Sequence, residues 1–542
     1  MRYLLLLLSL ITHPLLGQEL QDTWSKMISN PYAEYASEMA IDHGGNIWAL
    51  AYSNGPIGNL MYQGKDEAYL TKMDSDGHQL WELSFGSKED DLAYNLAIDA
   101  QNNCWVSGFF SDSLWVGDSI LVSNGGTDAF LLKFAPNGIL QLAKQLGASG
   151  YDRAHHVAIQ GDAVYWLGVY QGTVEVDIDT LTEIAINDVF LLKMDTLGQN
   201  IWIKQWGCPS VENISGLTLD NQGNVTAATL FRDALIIESD TLWGLPTINN
   251  FIVQFNTNGH LLWKTSFEGT GRGLTHDDNN NIYYTGSFND SVNILNQPLH
   301  SLGESDGFLL SLDNNGQVRW LEPIQGMDQI SATNVLWNSQ RQELYVTGLL
   351  QGTLFYGNDS IESAASGPRH TDDNLYVLVF DFNGLPLYAQ KFGGQYEDWL
   401  ANLALHPTDG SLYMFGSFDG DIDFVNTSLQ NDGNKDLFVA KFNIQTVAIK
   451  KLEINAISPI NLFPNPSQDA VIVSFKLQDY STISIDILNW NGQLVQSNTY
   501  DNCSEGAYQK TIHIPKTLPS GIYLIVVQSS TSRQTTKLIV RR

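Results

Sequence analysis

Short apolar runs alternate with polar turns along most of this chain, and they recur in groups of four at intervals of about 60 residues. The second group shows the pattern most clearly. Its runs are Leu92 to Ile98, Cys104 to Phe109, Ala129 to Phe134 and Leu140 to Leu146. Each is short, rich in β-branched and aromatic residues, and bounded by Asn, Asp and Gly, which predicts strands joined by tight turns. No 15-residue stretch carries convincing helical periodicity. The third run of each group is the best marker, with an acid or Asn first and a turn ending in Gly last. It reads Glu67 to Gly77, Asp128 to Gly138, Asp188 to Gly198, Asn250 to Gly259, Asp306 to Gly316 and Asn374 to Gly384. A seventh copy, Asp436 to Phe442, lacks the Gly.

Four antiparallel strands repeated seven times predict an all-β chain with a seven-bladed β-propeller over residues 18–450. The seventh group lacks a clear fourth run. Asp22 to Met27 (DTWSKM), ahead of the first group, reads as the missing strand, so a segment of about 22–28 is expected to close the last blade. Closure removes an exposed sheet edge.

The lines Asp91 to Asp99 (DLAYNLAID) and Asp128 to Phe134 (DAFLLKF), with Trp-x-Lys afterwards, resemble the bacterial β-propeller repeats called SBBP. That resemblance spans roughly residues 20–445 and implies a fold; the family shares no common active site.

The pattern changes after Asn455. Seven short strand-like runs lie between Leu462 and Val540, which suits a small Ig-like β-sandwich. Leu462-Phe463-Pro464-Asn465-Pro466 opens the segment, Asn491-Gly492-Gln493 follows Ile483 to Leu488, Leu518 to Tyr523 (LPSGIY) precedes an apolar strand, and Lys537 to Val540 (KLIV) ends it. This order resembles the type A sorting domain of the type IX secretion system of Bacteroidota. Phe463 stands where Tyr is common and Asn489 where Asp is common. The resemblance assigns motif roles to Pro464, Asn465, Pro466, Gly492, Gly521, Tyr523 and Lys537. It makes the secretion machinery a partner, with the passenger released or held at the outer-membrane surface. The expected domains are a signal peptide at 1–17, the propeller at 18–450, a linker at 451–456 and the sorting domain at 457–542. Arg2, the apolar run from Leu4 to Leu16 and Gly17 have the layout of a secretory signal peptide. His13-Pro14 interrupts that run, and no other stretch is long enough to be a transmembrane segment.

Composition narrows the functions. Hydrophobic residues are 43% and charged residues 16%, as in a globular chain. A net charge of −31 argues against nucleic acid, whose phosphates need clustered Lys and Arg. Cys104, Cys208 and Cys503 are far apart and form no disulfide framework. No nucleophile elbow, P-loop, zinc-protease helix or dinucleotide loop occurs, so neither catalytic residue, metal nor cofactor is expected. The turns at Asp74, Asp277 and Asp313 hint at Ca²⁺ loops but lack the downstream Glu, and read as hairpin turns. Asp-Ser or Asp-Thr pairs at Asp112, Asp118, Asp179, Asp240, Asp290 and Asp359 resemble an O-glycosylation signal, or are hairpin tips.

Antiparallel order puts the long connections between the second and third runs on one face, where binding is expected. Aligning the first runs places Glu38, Asn95, His156, Gly216, Gly273, Asn334 and Asn402 at one position, with Tyr94, His155 and Arg272 just before three of them. The expected site is therefore a channel mouth made by Glu38, Tyr94, Asn95, His155, His156, Arg272, Asn334 and Asn402. Strand alternation would point His155 and His156 to opposite faces. The ligand would be a glycan, another small polar molecule or a protein, bound without catalysis. A polysaccharide hydrolase or lyase with acids at the mouth, or a structural surface protein, are the alternatives.

Overall fold

A computed structural model of the protein describes residues 16–28, 32–57, 64–185, 187–208, 211–357, 359–363, 373–394, 396–431, 434–448, 460–477, 481–489, 494–504, 506–528 and 533–542. Most of the expected signal peptide and the expected linker lie outside them. The chain divides into two compact units, 17–446 and the C-terminal residues from 447. All regular structure among the described residues is β, and no helix is long and apolar enough to cross a membrane.

In the first unit, successive groups of four strands pair antiparallel in the order first, second, third, outer, and the third sheet is extended to six by Ala234–Ile237 and Asp240–Trp243. The first sheet is Glu34–Ile41, Ile47–Ser53, Glu67–Met73 and Gln79–Phe85. Equivalent sheets begin at Leu92–Ile98, Arg153–Gln160, Val211–Leu219, Thr270–His276, Asn334–Asn338 and Asp398–Leu405. The first strands neighbour one another in cyclic order, with Asp398–Leu405 lying against Glu34–Ile41. In that last sheet the outer position is filled from the chain's start, by Leu16–Ile28 beside Lys435–Ala448.

Trp24 shows why this strand fits there. Outer-strand Trp81, Trp202, Trp263 and Trp320 each pack on the turn glycine of the next sheet: Gly138, Gly259, Gly316 and Gly384. Trp24 packs on Gly77 of the first sheet in the same way. These glycines have φ near +80°, and a Cβ at any of them would press on the indole.

The connections between second and third strands differ from the expected loops. In the second sheet Cys104–Val116 and Ser119–Phe134 run on as one long hairpin, and Ile282–Ile294 with Gln297–Leu312 do the same in the fifth. Asp112 and Asp290 sit at register breaks within these hairpins, each opposite four unpaired residues of the other strand, with φ of 58° and 53°. Asp tolerates that left-handed conformation better than most residues, which gives both acids a structural reason to be there.

The core lies between sheets. Trp48, Trp105, Trp166 and Trp206 are fully buried. The C-terminal unit has a three-stranded sheet opened by Asn461–Phe463 and a four-stranded one closed by Arg533–Val540. Val471, Val473, Ile485, Ile487, Ile525 and Leu538 form their shared core. Cys104, Cys208 and Cys503 are free and buried.

Candidate functional site

A bulge interrupts the first strand in one sheet after another. Register shifts fall between Ala36 and Glu38, Ala93 and Asn95, Ala154 and His156, Ile214 and Gly216, Gly271 and Gly273, and Leu400 and Asn402. In the sixth sheet, Thr333 and Asn334 both face Thr347. A bulge re-aims the side chains around it. The extra residues are Ser37, Tyr94, His155, Ser215, Arg272 and Ala401, with Thr333 as their counterpart. His155 is thus a bulge residue and His156 the one after it, so strand alternation alone does not set their directions.

The position after the bulge is a staple between sheets. Glu38 Oε1 accepts the Met39 N–H at 3.0 Å, and its Oε2 accepts Asn95 Nδ2 at 2.6 Å. Asn95 Oδ1 in turn accepts the Val157 N–H of the third sheet at 3.0 Å. On the other side, Asn334 Nδ2 donates to Asn402 Oδ1 at 2.7 Å, and Asn402 Nδ2 donates to the Met39 carbonyl at 3.3 Å. The two glycines at this position mark closer approach. A Cβ on Gly216 would stand 2.7 Å from Leu274 Cβ, and one on Gly273 2.8 Å from Asn334 Cα. Glu38, Asn95, Asn334 and Asn402 thus hold neighbouring sheets together, and their polar atoms are largely spent in doing so.

The residues around them line a cavity of about 260 Å³, with walls from six of the sheets. Ser37, His156, Ser215, Arg272, Thr333 and Trp399 are its chemically distinctive members. Arg272 is exposed and Trp399 is 41% exposed. The Ser37 hydroxyl is buried without a hydrogen-bond partner. Of the expected site residues, His156 and Arg272 line this cavity. Tyr94 and His155 instead stack on each other at 5.0 Å, and Tyr94 also meets Phe109, over which Arg153 lies at 4.6 Å. Ser37, Ser215, Thr333 and Trp399 were missed by sequence reasoning. The first three occupy the position of Tyr94, His155 and Arg272 in other repeats, so the same alignment could have found them.

Burial sets the protonation here. It raises the Glu38 carboxyl to about 8, against the hydrogen bonds from Met39 and Asn95. It lowers His155 to about 3, helped by the charges of His156 and Arg153, and His156 to about 4. At neutral pH both imidazoles are uncharged, and Arg272 is the cation at the cavity wall.

Acids elsewhere on this face cap turns. Asp152 accepts the Ala148 and Gln171 N–H groups, each at 2.8 Å, and Asp398 accepts that of Gly394 at 3.1 Å. On the other turns, Asp74, Asp76 and His78 hold ligand-type atoms within 4.8 Å of one another. Asp74 Oδ1 is already engaged by the Asp76 and His78 N–H groups, each at 2.9 Å.

In the C-terminal unit the motif residues hold the fold's ends together. Asn465 Nδ2 donates to the Lys537 carbonyl at 2.7 Å, and its Oδ1 accepts the Ile539 N–H at 2.8 Å. This seats Pro464 and Pro466, which flank Asn465, beside the last strand. Gly521 pairs with Val540, and Tyr523 Oη donates to the Pro519 carbonyl at 3.1 Å. The Lys537 side chain is exposed. Gly492 lies outside the described residues.

Residues 461–541 match the family described as the Secretion system C-terminal sorting domain. This segment is a type IX secretion sorting domain, and it marks the protein for export to the extracellular space or the cell surface through that machinery. Over 479 residues the chain is 23% identical to an uncharacterized WD repeat-containing protein, L264, of Acanthamoeba polyphaga mimivirus. The match takes in 71% of this chain and 34% of that protein, so the chain spans about a third of its relative's length. Among solved structures, the polysaccharide lyase Uly1 aligns over 78% of this chain and all of its own, with 8% identity and a TM-score of 0.42. A protein of unknown function from Dyadobacter fermentans DSM 18053 aligns over 79% of this chain and 99% of its own, with 9% identity and a TM-score of 0.38.

Proposed function

We propose that the N-terminal unit is a seven-bladed β-propeller and that it works outside the cell as a non-catalytic binding or adhesion module. The C-terminal domain, read as an Ig-like sandwich over 457–542, delivers it. A signal peptide at 1–17, the propeller at 18–450 and a linker at 451–456 complete the proposed organisation of a Bacteroidota export substrate. The observation that carries this reading is the contrast at the first strands. After the bulge, Glu38, Asn95, Asn334 and Asn402 are used up as staples, whereas the bulge residues differ from sheet to sheet, and Ser37, Ser215 and Arg272 among them line a cavity together with His156 and Trp399. A rigid frame carrying varied side chains is the usual layout of a recognition site. Trp399 offers an aromatic platform, and Ser37, Ser215, Thr333 and Arg272 offer hydroxyls and a cation. That set suits a glycan or another small polar ligand.

Glu38 favours a second reading. A carboxyl raised to about 8 holds its proton at neutral pH, as the general acid of a polysaccharide hydrolase or lyase would. Such chemistry also needs a partner base and access to substrate, and among the described residues neither Glu38 nor any other carboxylate lines the cavity. A glycan array on the purified protein, followed by a reducing-end assay on the hits, separates the readings. Binding without release of reducing ends supports recognition. Release of ends that stops in Glu38→Gln supports the enzyme. Absence of any bound glycan or protein leaves the structural surface protein.

A further inference from the structure

The second and third strands of every sheet share one cross-strand pair near the face with the short turns. Its members are Trp48 and Lys72, Trp105 and Lys133, Tyr165 and Lys193, Thr226 and Gln254, Tyr283 and Ser311, Tyr345 and Val379, and Tyr413 and Lys441. Where Lys is present, its ammonium lies over the aromatic ring, at 4.5 Å from Trp48, 4.9 Å from Trp105, 5.2 Å from Tyr165 and 5.3 Å from Tyr413. In three of these sheets it also meets an acid of the turn between first and second strands. The distances are 2.9 Å from Lys72 to Asp42, 3.6 Å from Lys133 to Asp99, and 3.8 Å from Lys441 to Asp409. The fifth and sixth sheets bring an Arg instead. Arg319 reaches Tyr283, which is bonded to Asp277, and Arg341 pairs with Glu343.

The fourth sheet has the acid and lacks the cation. Asp220 is 3% exposed, and its Oδ1 is held by the Gln222 and Asn224 N–H groups at 2.8 and 2.9 Å. Its Oδ2 accepts Asn224 Nδ2 at 2.8 Å. In the first, second and fifth sheets that second oxygen also takes a bond from Trp48, Trp105 or Tyr283, but Thr226 is too short to supply one. No Lys or Arg among the described residues forms an ion pair with Asp220. His276 lies nearby, between Thr218 and Thr226, and burial lowers it to about 4, so it is neutral at pH 7.

Where the Lys and its ring would stand there is space. A cavity of about 210 Å³ is lined by Asp220, Gln254, Trp263 and Leu262, with Asn280 and Asn314 of the fifth sheet at its rim. Its floor is buried, since Gln254 is 1% exposed, and its rim residues Asn314 and Asn315 are open to solvent. A buried carboxylate costs free energy until a cation meets it. Trp263 and Leu262 add the apolar wall that an alkyl stem needs, as the Lys stems have in the sister sheets. We propose that this cavity is a binding site for a small organic primary ammonium ion, which takes the place of the missing lysine against Asp220.

Titration of the full-length protein with n-butylammonium at pH 7, read by calorimetry and by thermal shift, tests this. Saturable binding and a rise in Tm are expected, with no response to n-butanol, which has the same stem and no charge. Gln254→Lys restores the sister arrangement and should weaken n-butylammonium binding at least about tenfold, one interaction of about 1.4 kcal/mol being enough. Asp220→Asn should do likewise. Equal binding of n-butanol, or of Na⁺ and Ca²⁺ at the same concentrations, would overturn the proposal. So would failure of n-butylammonium to saturate, or unchanged binding in a folded Gln254→Lys protein. The n-butanol comparison needs no variant, so a variant that fails to fold leaves the proposal open to refutation.

Discussion

Asn95 joins three sheets through one amide, donating to Glu38 and accepting from the Val157 N–H. Removing it strands a buried carboxyl and a buried backbone donor together, and such orphaned groups cost about 1–3 kcal/mol each. Asn95→Ala is therefore expected to lower the chemical-denaturation midpoint clearly, whereas Arg272→Ala, at an exposed side chain, should leave it nearly unchanged. Equal midpoints for the two variants would show that the staple contributes nothing. The same residues show the limit of sequence reading. The alignment found the polar position because it recurs. It could not separate staple from cavity lining, because a bulge breaks the period-two alternation on which side-chain direction is judged. Trp399 was invisible for the same reason, lying ahead of the aligned position.

At the scale of elements, the strands were legible and their extensions were not. The first and outer strands of the second sheet fall at Leu92–Ile98 and Leu140–Leu146, where the apolar runs put them. The hairpin from Ser111 to Thr127 was not legible, because its residues are mostly exposed and need no buried alternation. Strand ends also carry the pH dependence. Burial raises Asp91 to about 7, Asp152 and Asp188 to about 6, and Asp398 to about 8, from 3.8. Between those values the folded state holds protons that the unfolded state has lost, so stability falls as pH rises. Buried His155, His156 and His276 act in the opposite sense below their ordinary 6.5, where the unfolded state gains the protons. The carboxyls therefore dominate from about pH 6.5 to 8. Tm should drop across that window, and Asp398→Asn should flatten the drop; a Tm that climbs from pH 6.5 to 8 would contradict the assignment.

At the scale of the molecule, the strand Leu16–Ile28 joins chain ends that lie some 400 residues apart in sequence, Asn426 bonding the Asp22 carboxylate across a separation of 404. Trp24→Ala removes a half-buried indole and should cost about 3 kcal/mol. Deleting residues 18–30 should lower Tm much further, because it bares the edge of Lys435–Ala448 and takes Leu20 out of a core it shares with Phe392, Phe418 and Phe442. An unchanged Tm would mean that the first unit does not depend on this strand. The export tail makes a separate prediction: a chain without residues 457–542 should accumulate in the periplasm, and normal surface display of it would refute the delivery role.

Recognition is assigned to the cavity that Trp399 and the bulge residues line, apart from the staples beside it. It is tested most directly by comparing the full-length protein with Trp399→Ala and Arg272→Ala on one glycan array. A defined set of bound glycans is expected that both variants lose while keeping the wild-type Tm. Undiminished binding by both variants would contradict it.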